Sequence, residues 1–508
     1  MRYTSTRGGH STYTFEEALL SGYSPDGGLF VPESLPEIDA ATLEEWSELD
    51  FLELAVEVLL PFLEDEIPRP DLKILLQNSL SGFDTSLNNL VPIVALTDNV
   101  WVAELFHGPT FCFKDIGLRV TIQWLNYFAT KRDVTVTLVV ATTGDTGPAA
   151  VQAVQDCASD KLGILVHYPE GQISDFQRRQ LTTASSERIH IVAFQGGGDD
   201  MDVPIKNIMT KKIGGDIDNK KRIVCGVNSY NIGRPLMQMV HFIWTYLRVA
   251  NQIKANTNGK LPKNFKLDIV IPTGAMGNMA ACYMTKQMGV PLGILCAGVN
   301  INDTTHIAFQ TGKVAKSTNA MNKTLSDAIN IQLPYNLERL LFYLTAQDHE
   351  QVQQWYSELE GNDKRIDIQS TNWWTKLQAE FQSARITDDE MCETMKSVLE
   401  EFDYWADPHT SVALATAKRL GYFETSSKTP VAIMATAAVC KFEEAVTTAL
   451  GEERWSEYKK EHFPESGKAL NDLTEIPPIL YAADPVKTLI EDQAVWEAKT
   501  RELIEQLG

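Results

Sequence analysis

Apolar and polar positions along this chain follow two rhythms, and they change places near residue 95. Before that point short strands and turns mix with an acidic, helix-spaced stretch over 42–66. Beyond it, apolar runs predict strands at 100–106, 134–140, 163–167, 189–194, 222–227, 267–271 and 431–435. Helix-spaced apolar positions between them predict helices at 116–128, 149–158, 235–253 and 279–288, the third largely buried. Such alternation implies a mostly parallel, doubly wound sheet covered on both faces, whose ligands gather at the carboxyl ends of the strands. Residues 304–402 read as largely helical, and 455–508 as a charged, proline-punctuated tail ending in a helix. The expected division is an N-terminal accessory domain over 1–95 and an α/β region over 96–450. The latter comprises two subdomains with a helical insertion at about 304–402, and a C-terminal helical tail follows over 451–508. No internal repeat, low-complexity tract or long linker interrupts the pattern.

Three strand-to-helix junctions carry candidate chemistry. The first is Glu104-Leu-Phe-His-Gly-Pro-Thr-Phe-Cys-Phe-Lys-Asp115, which sets the Lys114 ammonium among aromatic and apolar neighbours. Desolvation disfavours a charged amine and lowers its pKa, the condition for Schiff-base chemistry. A packed stem with the amine reaching water is the alternative. The second is Ala141-Thr-Thr-Gly-Asp-Thr-Gly147, followed by Pro148, where hydroxyls and free amides at a helix start suit an anion. The third is Pro272-Thr-Gly-Ala-Met-Gly-Asn278, whose glycines allow close backbone approach to a phosphate. Either loop alone is ordinary in α/β proteins. Neither is a P-loop or a dinucleotide fingerprint, which argues against a nucleotide-binding module.

Taken in order with Tyr3-Thr-Ser-Thr-Arg-Gly8, Gly22-Tyr-Ser-Pro-Asp-Gly-Gly-Leu-Phe30, Asn302-Asp303, Asn336-Leu-Glu-Arg339 and Asp407-Pro-His-Thr410, these segments resemble the threonine synthase family. The resemblance spans almost the whole chain. It implies a fold-type II pyridoxal-phosphate (PLP) enzyme with a tryptophan synthase beta-like fold. It further implies a Schiff-base linkage at Lys114, cofactor phosphate on Gly274, Ala275, Met276, Gly277 and Asn278, and the Thr436 hydroxyl near the pyridine nitrogen. On the substrate side the anion site falls to Thr142, Thr143, Gly144, Asp145 and Thr146. Asp145, as a carboxylate facing an anion, is expected to shape the loop by accepting backbone N–H bonds. His107 is expected to order its turn, and His409 either to help cap a helix or to position substrate.

Departures from the family pattern point to a branch. Gly274-Ala-Met-Gly277 stands where Gly-Asn-Phe-Gly is usual, Thr436-Ala-Ala-Val-Cys-Lys-Phe442 lacks the usual histidine and proline, and Pro334-Tyr-Asn336 replaces Ser-Ser-Asn. These changes resemble the threonine synthase-like 2 group, which implies a phospholyase. Such an enzyme acts on O-phosphohomoserine or O-phosphothreonine and releases 2-oxobutyrate, ammonia and phosphate. A true synthase and a PLP-binding protein without turnover are the alternatives. Composition fits a globular enzyme, with 508 residues, 44% hydrophobic and 22% charged. A net charge of -22 argues against nucleic acid or an anionic membrane as principal partner, leaving a small phosphorylated amino acid and a monomer or homodimer. Seven cysteines show no paired metal spacing, so no metal is expected. No apolar run approaches the roughly 18 residues of a membrane span or a signal of that kind, and the expected location is the cytoplasm.

Overall fold

The computed structural model describes residues 1–9, 11–210, 222–315, 321–361, 364–424 and 429–507. Its larger sheet has six strands in the order Phe381–Arg385, Leu292–Val299, Leu267–Pro272, Val431–Ala435, Val100–Glu104 and Ile93–Ala95. All neighbours are parallel except the last pair. A second sheet of five parallel strands runs Ile479–Tyr481, Ile189–Phe194, Leu162–Pro169, Thr135–Ala141 and Arg222–Gly226. Val431–Ala435 and Leu162–Pro169 are buried at every position, which is why they read as unbroken apolar runs rather than as alternation.

Helix Gly233–Asn256 is buried over most of its length. It packs against Lys114–Arg132, Gly277–Gln287 and Phe51–Leu63. The acidic stretch 42–66 resolves into Ala40–Trp46 and Phe51–Leu63, with Asp50 starting the second through a capping box to Glu53. Near the start, Tyr3–Ser5 pairs antiparallel with Phe30–Pro32.

Two regions differ from expectation. The stretch 304–402 is not simply helical, for it supplies the outermost strand of the larger sheet, Phe381–Arg385, and a small antiparallel pair, Lys313–Ala315 with Arg365–Asp367. Exposed Gln382 and Arg385 broke the apolar pattern there. Residues 316–320 and 362–363 of that stretch lie outside the described residues. In the C-terminal region Ile479–Tyr481 pairs parallel with Ile189–Phe194, while Leu489–Gln506 buries Trp496 against Phe194. No helix among the described residues is long and apolar enough to cross a membrane.

Candidate active site

Four strands deliver their carboxyl ends to one cavity. Val100–Glu104 leads through a turn to Lys114, Leu267–Pro272 to the loop before Gly277, Val431–Ala435 to Thr436, and Thr135–Ala141 to the loop before Thr146. The turn before Lys114 is held by a short antiparallel bridge: Phe113 N–H donates to Thr436 O (2.8 Å) and Ala438 N–H to Phe111 O (2.9 Å). The lysine and the threonine are therefore fixed to each other by backbone. Asp115 anchors the turn from below, accepting from Thr110 N–H (2.9 Å) and Oγ1 (2.7 Å). Burial, opposed by those bonds, pushes its pKa up to about 6. His107 meets Glu104 at 2.8 Å within the same turn, which is an ordering contact.

Lys114, Thr142, Thr143, Asp145, Thr146, all of Gly274 to Asn278, and Thr436 line the cavity. Gly144 does not. Its φ of +132° turns the loop, and a side chain there would meet Gln177. Thr142 Oγ1 accepts from the N–H groups of Gly144 (3.1 Å) and Gly147 (2.9 Å), which leaves its own O–H free to donate. Thr143 instead donates to Ala328 O at 3.4 Å.

Asp145 departs from the expected loop-shaping role, for its carboxylate accepts no backbone N–H among the described residues. Oδ1 lies 2.6 Å from Lys441 Nζ and 3.0 Å from Gln177 Nε2, and Oδ2 lies 3.5 Å from Lys114 Nζ. Burial alone would raise its pKa. Lys441 and Lys114 outweigh burial and hold it well below the usual carboxylate range. Lys441 is wholly buried, donates also to Thr110 O at 2.9 Å, and is raised by Asp145 against the pull of burial. A lysine inside the apolar run 436–442 is the same signal that marked Lys114, so sequence alone could have singled it out.

His409 lines the cavity and also belongs to the helix start, where Asp407 accepts from the backbone N–H groups of His409 and Thr410. Its Nδ1 lies 2.7 Å from Asp407 Oδ2. Burial disfavours the imidazolium, but Asp327 and Asp407 push its pKa up to about 9. Against this, Ala328 N–H points at Nε2 from 3.0 Å and requires a lone pair there, while Asp327 stands off at 3.6 Å. The neutral ring, with its proton on Nδ1 toward Asp407, satisfies the closer contacts.

The loop over Gly274 to Asn278 starts helix Gly277–Gln287, and the N–H groups of Gly274, Ala275 and Met276 donate to no protein acceptor among the described residues. Such free amides suit a phosphate. The glycines also lie against neighbouring protein. The residue with positive φ is Met276 (61°), whereas a Cβ on Gly277 would lie 2.6 Å from Ser229 Cβ and one on Gly274 would lie 3.0 Å from Ile329 Cα. Close approach to neighbouring protein, not backbone handedness, requires them. Asn336 secures the loop by donating from its backbone N–H and its amide to Ala275 O, and from that amide to Ser229 Oγ. Asn228, Ser229, Arg234, Gln238 and Tyr335 also line the cavity, as do the carboxylates Asp199 and Asp202. Of these the sequence carried a sign for Arg234 and Gln238, polar residues four apart in the apolar first turns of the helix.

The fold, with its ligand cavity at the carboxyl ends of parallel strands, is the fold-type II α/β architecture. Residues 2–80 match the family described as threonine synthase N terminus, and residues 410–490 that described as threonine synthase, C-terminal. The chain is 36% identical to threonine synthase-like 2 of Mus musculus, over 88% of this chain and 89% of that one. It is 32% identical to the threonine synthase of Saccharomyces cerevisiae, over 97% and 98%. The crystal structure of a PLP-bound threonine synthase from Brucella melitensis superimposes with a TM-score of 0.82, at 28% identity and 99% coverage of both chains. This chain belongs to the threonine synthase family.

Proposed function

We propose that this protein is a PLP-dependent carbon-oxygen lyase that eliminates phosphate from O-phosphohomoserine or O-phosphothreonine, giving 2-oxobutyrate, ammonia and phosphate. The observation that carries the reading is the meeting of Lys114, the hydroxyl-bearing start of helix Thr146–Cys157 and the free amides before Gly277 around one cavity. When bound, PLP supplies an electron sink for the carbanion left by loss of a substrate proton. The residues fit that group: the Gly274 to Asn278 loop would take its phosphate, Lys114 its carbonyl carbon, and Thr436, whose hydroxyl has no protein partner among the described residues, its ring nitrogen.

With its amine free, Lys114 would be the base that takes the α-proton, and Asp145 at 3.5 Å would keep that amine in place. Thr142 and Thr146 at a helix N-terminus meet the anionic end of the substrate. Lys441 neutralises the Asp145 carboxylate, which would otherwise repel that anion. The lyase outcome is favoured by Ala275. A methyl group there replaces the asparagine of the family pattern in the cavity wall, and threonine formation needs a placed group to direct water to Cβ.

The test is to incubate the protein with each phosphorylated amino acid and to measure phosphate, threonine and 2-oxobutyrate. Phosphate with mainly 2-oxobutyrate is expected. Threonine as the dominant product from O-phosphohomoserine would make this an ordinary synthase, the reaction named for its Saccharomyces cerevisiae relative.

A further inference from the structure

The short turn Asp327–Ile329 lies against the Thr142 to Thr146 loop, and Thr143 Oγ1 donates across to Ala328 O. Asn300 Nδ2 braces the turn by donating to Thr324 Oγ1 (3.0 Å) and Asn330 Oδ1 (2.8 Å). Two groups of the turn compete for one imidazole nitrogen. Ala328 N–H donates to His409 Nε2 at 3.0 Å, whereas Asp327 Oδ1, buried and without a hydrogen bond among the described residues, stands 3.6 Å from the same atom. Nε2 can serve only one of them, the amide with a lone pair or the carboxylate with a proton. Nδ1 is engaged in either state, 2.7 Å from Asp407 Oδ2.

An anion brought to Thr142 and Thr146 has two buried carboxylates for neighbours. Asp145 is neutralised by Lys441, but among the described residues only His409 pairs with Asp327, whose own pKa is raised by burial. We propose that His409 is a positioning residue of the substrate-anion site: the anion enters with one proton, which Nε2 takes up and donates to Asp327, and the released Ala328 N–H serves the anion. This rests on the lyase reading and deepens it, since it concerns the same site. The proton comes from water, and no carbon bond is made or broken. The charged groups facing the ring are Asp407 at the start of its own helix, Asp327 from the turn, and Asp145 with Lys441 from the loop side, while the Phe442 ring at 4.9 Å does not titrate. Tyr404, Tyr458 and Cys440 near Asp407 are kept neutral by burial. The two aspartates favour the imidazolium against burial, and the Ala328 N–H opposes it, so without an anion the ring titrates between its ordinary value of 6.5 and about 9. A bound anion moves that titration upward.

Sulfate is the probe, because it keeps its charge over a pH range in which phosphate itself titrates. Calorimetric titration of the holoprotein with sulfate, in two buffers of unlike ionisation heat, counts the protons taken up per anion. Wild type is expected to take up a clear fraction of a proton within that range. It should bind sulfate roughly tenfold more weakly at about pH 9.5 than at about pH 6.5, the loss of one charge-assisted contact. His409→Gln can offer an amide oxygen to the Ala328 N–H but cannot become charged, so it should take up no proton and bind sulfate equally across the range. Asp327→Asn removes one of the two carboxylates that favour the imidazolium. Its proton uptake should shift to lower pH, and its sulfate binding at about pH 9.5 should be tighter than that of wild type. A merely structural histidine would lower the thermal midpoint in His409→Gln and leave the proton count as in wild type. Sulfate binding by wild type without proton uptake, or uptake unchanged in His409→Gln, overturns the assignment. No sulfate binding at all overturns it together with the Thr142 to Thr146 anion site. Failure of wild type to bind PLP, seen as missing visible absorbance, would sink the cofactor reading itself, a result distinct from all of these.

Discussion

At the scale of single residues, Asp145 stands between two ammonium groups and divides them unequally, gripping Lys441 at 2.6 Å and holding Lys114 at 3.5 Å. The close pair is a matter of structure, and the distant one holds Lys114 less tightly. Lys114→Ala is expected to abolish phosphate release and the visible absorbance of bound cofactor, and retained turnover would remove it from the chemistry. Lys441→Met leaves a buried carboxylate short of its main partner. A loss of about 3–5 kcal/mol in chemical denaturation is expected, most of it recovered in Lys441→Met combined with Asp145→Asn. The pH signature follows from the depressed folded pKa of Asp145: its stabilisation is present above the ordinary carboxylate value and is lost as pH falls below it. With Lys441 gone burial prevails, and the acid-unfolding midpoint should move to higher pH than in wild type. Lys114 was legible in sequence because aromatic neighbours surround it within the chain. The partnership of Asp145 with Lys441 was not, because residues almost 300 apart meet only through the fold.

At the scale of elements, the strands and helices around the cavity were legible to within a few residues because each is a buried apolar run ended by glycine, proline or a capping residue. The helix expected at 116–128 begins at Lys114 itself and runs to Arg132, a shift that places the reactive amine on the first helical turn. What hid Phe381–Arg385 was its place at the sheet edge, where two of its five positions face solvent. In the loop before Gly277 the constraint is close approach to neighbouring protein. Gly277→Ala puts a methyl carbon against Ser229 Cβ, so it should cost about 1–3 kcal/mol by overpacking and push Ser229 off Asn336. Weaker PLP binding by absorbance titration should accompany the lower unfolding midpoint. Unchanged values for both would show that the loop has room to spare.

At the scale of the whole molecule, both ends of the chain brace the two sheets. Near the start Arg7 makes paired bonds to Glu338 (2.9 Å) and to Glu360 (2.9 Å), linking the opening motif to the Asn336-Leu-Glu-Arg339 segment that secures the Gly274 to Asn278 loop. The linkage explains why distant motifs run together, although no local pattern in either segment announces it. Near the end Trp496 is fully buried against Phe194 and beside the edge strand Ile479–Tyr481. Trp496→Ala should cost about 3–5 kcal/mol, read by thermal or chemical denaturation, while a change within about 0.5 kcal/mol would show that the C-terminal helix is dispensable. The parallel edge strand also has a bearing on synthesis. Its partner, Ile189–Phe194, leaves the ribosome nearly 300 residues earlier and must wait with an open edge. At about 5–20 residues per second that wait lasts on the order of 15–60 seconds, a period in which a nascent chain depends on chaperones to keep an apolar strand from pairing with a stranger.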